Sequence, residues 1–139
     1  MLILDTDHVS QLSRVSRITQ SLKARLDVAR QPLAITATTL EEAFRGRLAQ
    51  VVWAKSKAAL ISSYARLQEA VEDFRRWRIL QFDTAAADIY DRLRTARLGV
   101  STMDLRIASI AIANNATLLS RNLRDFEPVP DLKVEDWLS

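Results

Sequence analysis

Met1-Leu2-Ile3-Leu4-Asp5-Thr6-Asp7-His8-Val9 opens with an apolar run of a length suited to one buried strand, ends that run on an acid, and passes into a helical pattern near Val9. The motif of strand followed by helix recurs along the chain. After the break at Gln31-Pro32, Leu33-Ala34-Ile35-Thr36 reads as a second buried strand, with Thr38 and Thr39 as helix caps and a helix running on from Leu40. Arg78-Ile79-Leu80-Gln81-Phe82 is a third strand; Asp83 and Thr84 cap a helix that runs to about Leu98, where Gly99 suits the stop. Ala116-Thr117-Leu118-Leu119-Ser120 is a fourth strand. Pro128 and Pro130 mark a loop before a short final strand at Leu132-Lys133-Val134.

Between these strands the apolar residues fall at helical spacing. Residues 8–29 accommodate two short helices. Val52, Ala59, Leu60, Tyr64, Leu67, Val71 and Phe74 recur at three- and four-residue steps, which predicts one long helical segment from about Val51 to Trp77. Ser101 and Thr102 cap a helix whose run Ile107-Ala108-Ser109-Ile110-Ala111-Ile112-Ala113 is apolar nearly all round and is therefore expected to be buried. Strands that are nearly continuously apolar and alternate with helices imply a mainly parallel sheet covered on both faces. The fold class expected is a three-layer α/β/α sandwich around four to five strands, formed as a single domain over residues 1–139.

Composition agrees and removes several chemistries. The 139 residues are 48% hydrophobic, enough for one core, and only two glycines and three prolines argue against an all-β fold. With no cysteine there is no disulfide, thiolate zinc site or cysteine nucleophile. The net charge of +3 is spread along the chain, with acids gathered from Asp125 to Asp136, a balance that permits nucleic-acid binding without requiring it. An acid at position 5 does not fit a signal peptide, and no apolar stretch is of membrane-spanning length, so a cytoplasmic protein is expected.

In parallel α/β sheets, ligands collect at the carboxyl ends of the strands. Asp5 ends the first strand there, and the turn Ser120-Arg121-Asn122 ends the fourth. Asp7 fits the cap of the first helix better than Asp5, which leaves Asp5 facing the crevice. Glu42 lies in a capping-box pattern with Thr39, and Asp104 in another with Ser101, so each acid taken singly is explained by capping. Taken together, the three acids sit at strand ends or helix starts of one sheet, where their mutual repulsion calls for a cation. Oxygen ligands without cysteine select Mg²⁺ or Mn²⁺ over zinc, and such a centre suits a phosphate ester. The lone histidine, His8, excludes a paired-imidazole mechanism and reads as a helix-start residue.

Four blocks in order resemble the PIN-domain family, and VapC-type toxins of type II toxin–antitoxin systems in particular. They are Leu2-Ile3-Leu4-Asp5-Thr6-Asp7-His8, Thr39-Leu40-Glu41-Glu42-Ala43-Phe44-Arg45-Gly46, Met103-Asp104-Leu105-Arg106-Ile107-Ala108 and Ala116-Thr117-Leu118-Leu119-Ser120-Arg121-Asn122, followed by Asp125-Phe126 and the tail Val134-Glu135-Asp136-Trp137. The resemblance implies a Mg²⁺- or Mn²⁺-dependent endoribonuclease, an RNA substrate, a homodimer and a cognate antitoxin protein. It assigns Asp5 and Asp104 as metal ligands, Glu42 as completing the catalytic set, and Thr6 and Ser120 as supporting hydroxyls. Asn122 stands where much of the family has a fourth Asp; Asp125 either compensates or merely starts the terminal loop.

Two rivals follow from the same residues. Asp5-Thr6-Asp7-His8-Val9 also fits an aspartate-nucleophile phosphatase, with Asp7 as acid/base, although Ser120-Arg121-Asn122 stands where that reading needs Gly-Asp. A catalytically inactive PIN-like module that only binds RNA or protein is the other, kept open by Asn122. Val52, Trp53, Leu60, Tyr64 and Leu67 offer more apolar surface than one small core needs; core packing is the simpler expectation, a partner groove the alternative.

Overall fold

The apolar tetrad at Leu33 and the triad at Leu2 pair side by side, and this pairing organises the chain. In the computed structural model, which describes residues 1–139, the strands are β1 (Leu2–Leu4), β2 (Leu33–Thr36), β3 (Ile79–Leu80), β4 (Thr117–Leu119) and β5 (Lys133–Glu135). They form one sheet in the order β3-β2-β1-β4-β5 with every pair parallel. Leu2 sits opposite Leu33 on one side and Thr117 on the other. Because successive side chains on a strand point to opposite faces, Ile3 joins one core with Ala34, Leu118 and the later helices, while Leu2, Leu4 and Leu119 join a second core with Leu22 and Leu26. The expected sandwich has two covered faces for this reason.

The helices are α1 (Thr6–Leu12), α2 (Arg17–Ala29), α3 (Ala37–Trp53), α4 (Lys57–Phe74), α5 (Thr84–Thr95), α6 (Thr102–Ala113) and α7 (Leu123–Phe126). As its composition predicts, α6 is buried along Leu105, Ile107, Ala108, Ile110 and Ala111. Burying side chains such as Ile107 and Ile110 contributes about 1.5–3 kcal/mol each. The chain leaves β1 toward β2 and β3 on one side and returns to β4 and β5 on the other, so the strand order reverses between β1 and β4. At such a switch point the loops diverge and leave a crevice at the carboxyl ends of the two strands.

Four local expectations are corrected. The helix after β2 is capped by Thr36, whose Oγ1 accepts from the Thr39 N–H at 3.1 Å, and not by Thr38 or Thr39. Glu42 therefore lies beyond the first turn and takes no part in a capping box. The segment predicted as one helix from Val51 to Trp77 is broken at Ala54, which is extended, and restarts at Ser56, whose hydroxyl oxygen accepts from the Ala59 N–H at 3.1 Å. The break folds α4 back along α3, with Phe44 and Phe74 ring centroids 5.9 Å apart and the Ser63 hydroxyl donating to the Gln50 carbonyl. Residues 123–126 form a short helix rather than the start of a loop. Finally, Val52, Trp53, Leu60 and Tyr64 are exposed instead of packed, Val52 by 78% and Trp53 by 74%.

Candidate functional site

Asp5, Thr6, Asp7, Glu42, Asp104, Ile107, Arg121 and Asn122 line one cleft of about 630 Å³ at the β1/β4 switch point, a volume within the usual range for ligand sites. Four elements deliver these side chains: the end of β1 and start of α1, the second turn of α3, the first turn of α6, and the turn after β4. The three acids singled out by the sequence thus converge.

Asp5 is 6% exposed and held on both oxygens. Its Oδ1 accepts from the Thr6 N–H at 2.9 Å and its Oδ2 from the buried Ser120 hydroxyl at 2.8 Å. The Ser120 oxygen in turn accepts from the Asn122 N–H at 3.1 Å, tying the β4 turn to the β1 acid. Asp5, not Asp7, is the N-cap of α1, contrary to the sequence reading. Asp104 follows its cap as expected: the Ser101 oxygen accepts from the Asp104 N–H at 3.2 Å.

The electrostatics record the crowding. Burial raises the Asp5 carboxyl above its ordinary value, and the charges of Asp7 and Asp104 push the same way against the lowering bonds from Thr6 and Ser120. Burial also raises Glu42, reinforced by the charges of Asp5, Asp104 and Glu41. Asp104 is raised by burial and by Asp125, against the Ser101 hydroxyl. Asp125 is exposed and does not line the cleft, yet its charge reaches Asp104; Asn122 lines the cleft itself.

No group of three or more acidic or histidine side chains is arranged to hold a metal ion as the side chains stand. The donor set nevertheless has the chemistry of a hard cation site, all oxygen, with carboxylates that oppose one another's ionisation. His8 does not line the cleft and lies outside this ligand set. It is fully buried, its Nδ1 lies 2.6 Å from Asp7 Oδ1, and its Nε2 accepts from the Trp137 N–H at 3.2 Å. Accepting at Nε2 places the proton on Nδ1, which donates to Asp7.

Sequence reasoning missed two cleft residues in their roles. Asp7 was read as a cap, but its Oδ2 accepts from the Arg121 N–H at 2.9 Å. Burial would raise Asp7; its bonds to His8 and Arg121 outweigh that and hold it below the usual aspartate value. Arg121 is the one cationic side chain lining the cleft. The signal available was its place beside Ser120 at a strand end. These bonds also weaken the phosphatase reading, because Asp7, its acid/base, accepts on both oxygens from His8 and Arg121 and is held below the usual aspartate value, which suits it poorly to carry a proton.

An all-parallel sheet of this order with an acid-lined edge is the architecture of PIN-like α/β proteins. No family model matches the chain. It is 39% identical over 66 residues to Ribonuclease VapC2 of Rickettsia felis, a match covering 45% of this chain and 49% of that protein, about half the relative's length. It is 26% identical over 122 residues to the tRNA(fMet)-specific endonuclease VapC of Salmonella typhimurium, covering 85% of each. The crystal structure of VapBC2 from Rickettsia felis bound to a DNA fragment from its promoter contains a chain with the same fold, TM-score 0.69, 27% identity and 98% coverage of both chains. The chain therefore has the fold of VapC-type PIN proteins and resembles them in sequence along most of its length. No helix is long and apolar enough to cross a membrane.

Proposed function

We propose that the chain is a divalent-metal-dependent endoribonuclease acting as the toxin of a toxin–antitoxin pair. The observation that carries the reading is the convergence of Asp5, Glu42 and Asp104 from three separate elements into one cleft, where Asp5 and Asp104 raise Glu42 and Asp104 raises Asp5. The names of the two curated relatives, a ribonuclease and a tRNA-specific endonuclease, support RNA as substrate.

Asp5 and Asp104 would hold Mg²⁺ or Mn²⁺, with Glu42 completing the set and the Asn122 amide oxygen as a neutral neighbour. When bound, such an ion supplies Lewis acidity, acidifying water and offsetting charge on the phosphoryl oxygens. Ser120 and the Thr6 N–H fix the Asp5 carboxylate in one orientation, which preorganises it. Glu42, without a hydrogen-bonded partner and raised above its ordinary value, is suited to take a proton from an attacking water. Thr6 stands at the cleft wall as a hydroxyl able to bond a phosphate oxygen or water.

The exposed apolar faces of α3 and α4, with Trp53 and Tyr64 among them, are the surface on which an antitoxin would dock, and we extend the proposal to a homodimeric, single-domain cytoplasmic toxin. The test is hydrolysis of a mixed RNA pool by the purified protein in Mg²⁺, in EDTA and as Asp5→Ala. Cutting in Mg²⁺ alone is expected; no cutting by the wild type would favour the inactive binding module.

A further inference from the structure

A cleft walled by Asp5, Asp7, Glu42 and Asp104 repels the polyanion it is proposed to cut, and a cation held by two of those acids offsets only part of that charge. Arg121 is the single permanent positive charge on the wall. Its side chain is exposed and makes no ion pair, although its charge reaches Asp136 and helps to lower that group. A free guanidinium of this kind is the side chain best matched to a phosphate, because its planar fork bonds two oxygens together.

The backbone beneath it is anchored by contacts distant in sequence. Arg121 N–H donates to Asp7 Oδ2 at 2.9 Å, Asp7 Oδ1 accepts from His8 Nδ1–H at 2.6 Å, and His8 Nε2 accepts from the Trp137 N–H at 3.2 Å. Ser120 and Asn122 on either side are bonded through the Ser120 hydroxyl to Asp5. His8 is fully buried, and Leu138, the residue after Trp137, is buried in the second core. The C-terminal tail, the lone histidine and Asp7 thus form a chain of bonds that ends at the Arg121 backbone.

Building on the ribonuclease reading, we propose that Arg121 binds the RNA backbone phosphate at the acidic cleft, and that Asp7 and His8 are positioning residues that hold the Arg121 turn in place. Asp7 and His8 do not touch the substrate. They act through the Arg121 N–H.

The experiment measures binding of a fluorescent single-stranded RNA by anisotropy between about 50 and 200 mM KCl, the range over which phosphate contacts reveal themselves, using the full chain with its acidic cleft intact and Ca²⁺, a hard oxygen-seeking cation, in place of Mg²⁺ to prevent cutting. Adding Arg121→Gln is expected to weaken binding about tenfold and to reduce the slope of log affinity against log salt by about one. His8 is then replaced in two ways. His8→Asn keeps a donor where Nδ1 stands, and His8→Gln keeps only a group where Nε2 stands. The Asn form is expected to retain the Arg121-dependent affinity and the Gln form to lose most of it, with no further loss when Arg121→Gln is already present.

Unchanged affinity and slope in Arg121→Gln, with RNA still bound, would overturn the phosphate role and leave the ribonuclease reading standing. Absence of RNA binding by the intact protein in Ca²⁺ would overturn the phosphate role, whereas failure of the wild-type protein to cut RNA in Mg²⁺ would overturn the ribonuclease reading. Equal loss in both His8 variants, or additive loss with Arg121→Gln, would overturn the positioning role. If either His8 form fails to fold by circular dichroism, Asp7→Asn makes the same comparison: one amide cannot accept from both donors, so its loss must also vanish in the Arg121→Gln background.

Discussion

Asp104→Asn is predicted to stabilise the metal-free protein. The substitution keeps the shape of the side chain and the Ser101 cap on its backbone N–H, and it removes a charge that raises both Asp5 and Glu42 and is itself raised by Asp125. Asp104 thus has three like-charged neighbours. In a half-exposed setting each such pair contributes a few tenths to about 1 kcal/mol, so the relief amounts to about 1–2 kcal/mol in total. For a chain of this size that is a rise in Tm of roughly 3–8 °C. The assay is thermal unfolding at pH 8 and low salt in EDTA, followed by circular dichroism. Adding Mn²⁺ should reverse the order, because an ion bound to the folded state stabilises the wild type by about 2.7 kcal/mol at a hundredfold excess over its Kd, while the variant has lost a ligand. A variant that melts at or below the wild-type temperature in EDTA would refute the claim that these charges crowd one another.

Three further outcomes follow from the same contacts. Asp5, Glu42 and Asp104 have folded-state pKa values above their ordinary ones, so their ionisation opposes folding: metal-free stability should rise as pH falls from 8 through the raised values. It should then drop as Asp7 and Asp136, which are lowered and stabilise only above the ordinary aspartate value, become protonated; urea titrations across pH check both limbs, and a stability that shows no rise at any pH between 8 and the onset of that drop would contradict the first. Ser120→Ala removes a bond to a charged Asp5 and the acceptor for the Asn122 N–H; it should cost about 2–3 kcal/mol in chemical denaturation and reduce RNA cutting, and a cost below about 0.5 kcal/mol would show the bridge to be unimportant. Trp53→Ser, at an exposed position, should leave stability within about 0.5 kcal/mol while lowering the binding of a hydrophobic dye to the free protein; a large destabilisation would mean that Trp53 packs after all.

How legible this was from sequence depended on the range of the interactions. β2 runs over Leu33–Thr36 as read, and β1 and β4 differ from expectation only at their ends, because a short apolar run between caps has few alternatives. The buried α6 was legible from composition alone. The start of α3 was not: Thr36, Thr38 and Thr39 are all competent caps, and the choice falls to Thr36 because β2 pairing with β3 ends there. The break at Ala54 was hidden because apolar spacing continues across it, while the turn answers to α3–α4 packing through Phe44 and Phe74.

The site divides in the same way. Asp5, Glu42 and Asp104 were legible as acids at strand ends and helix starts of a parallel sheet. The supports of Arg121 were not, since Asp7 and Arg121 are 114 residues apart and His8 and Trp137 are 129 apart. Local pattern suggests a capping role for Asp7 and says nothing of a partner so distant. The surface outcome for Val52 and Trp53 was also beyond local reading, because helical spacing marks an apolar stripe without saying what covers it.

Crystals soaked in Mn²⁺, with anomalous difference density measured at the manganese edge, test the central claim most directly. A peak about 2.1–2.3 Å from carboxylate oxygens of both Asp5 and Asp104, absent in Asp5→Asn crystals, is the predicted result. Manganese bound elsewhere, or held by only one of the two acids, would contradict the account.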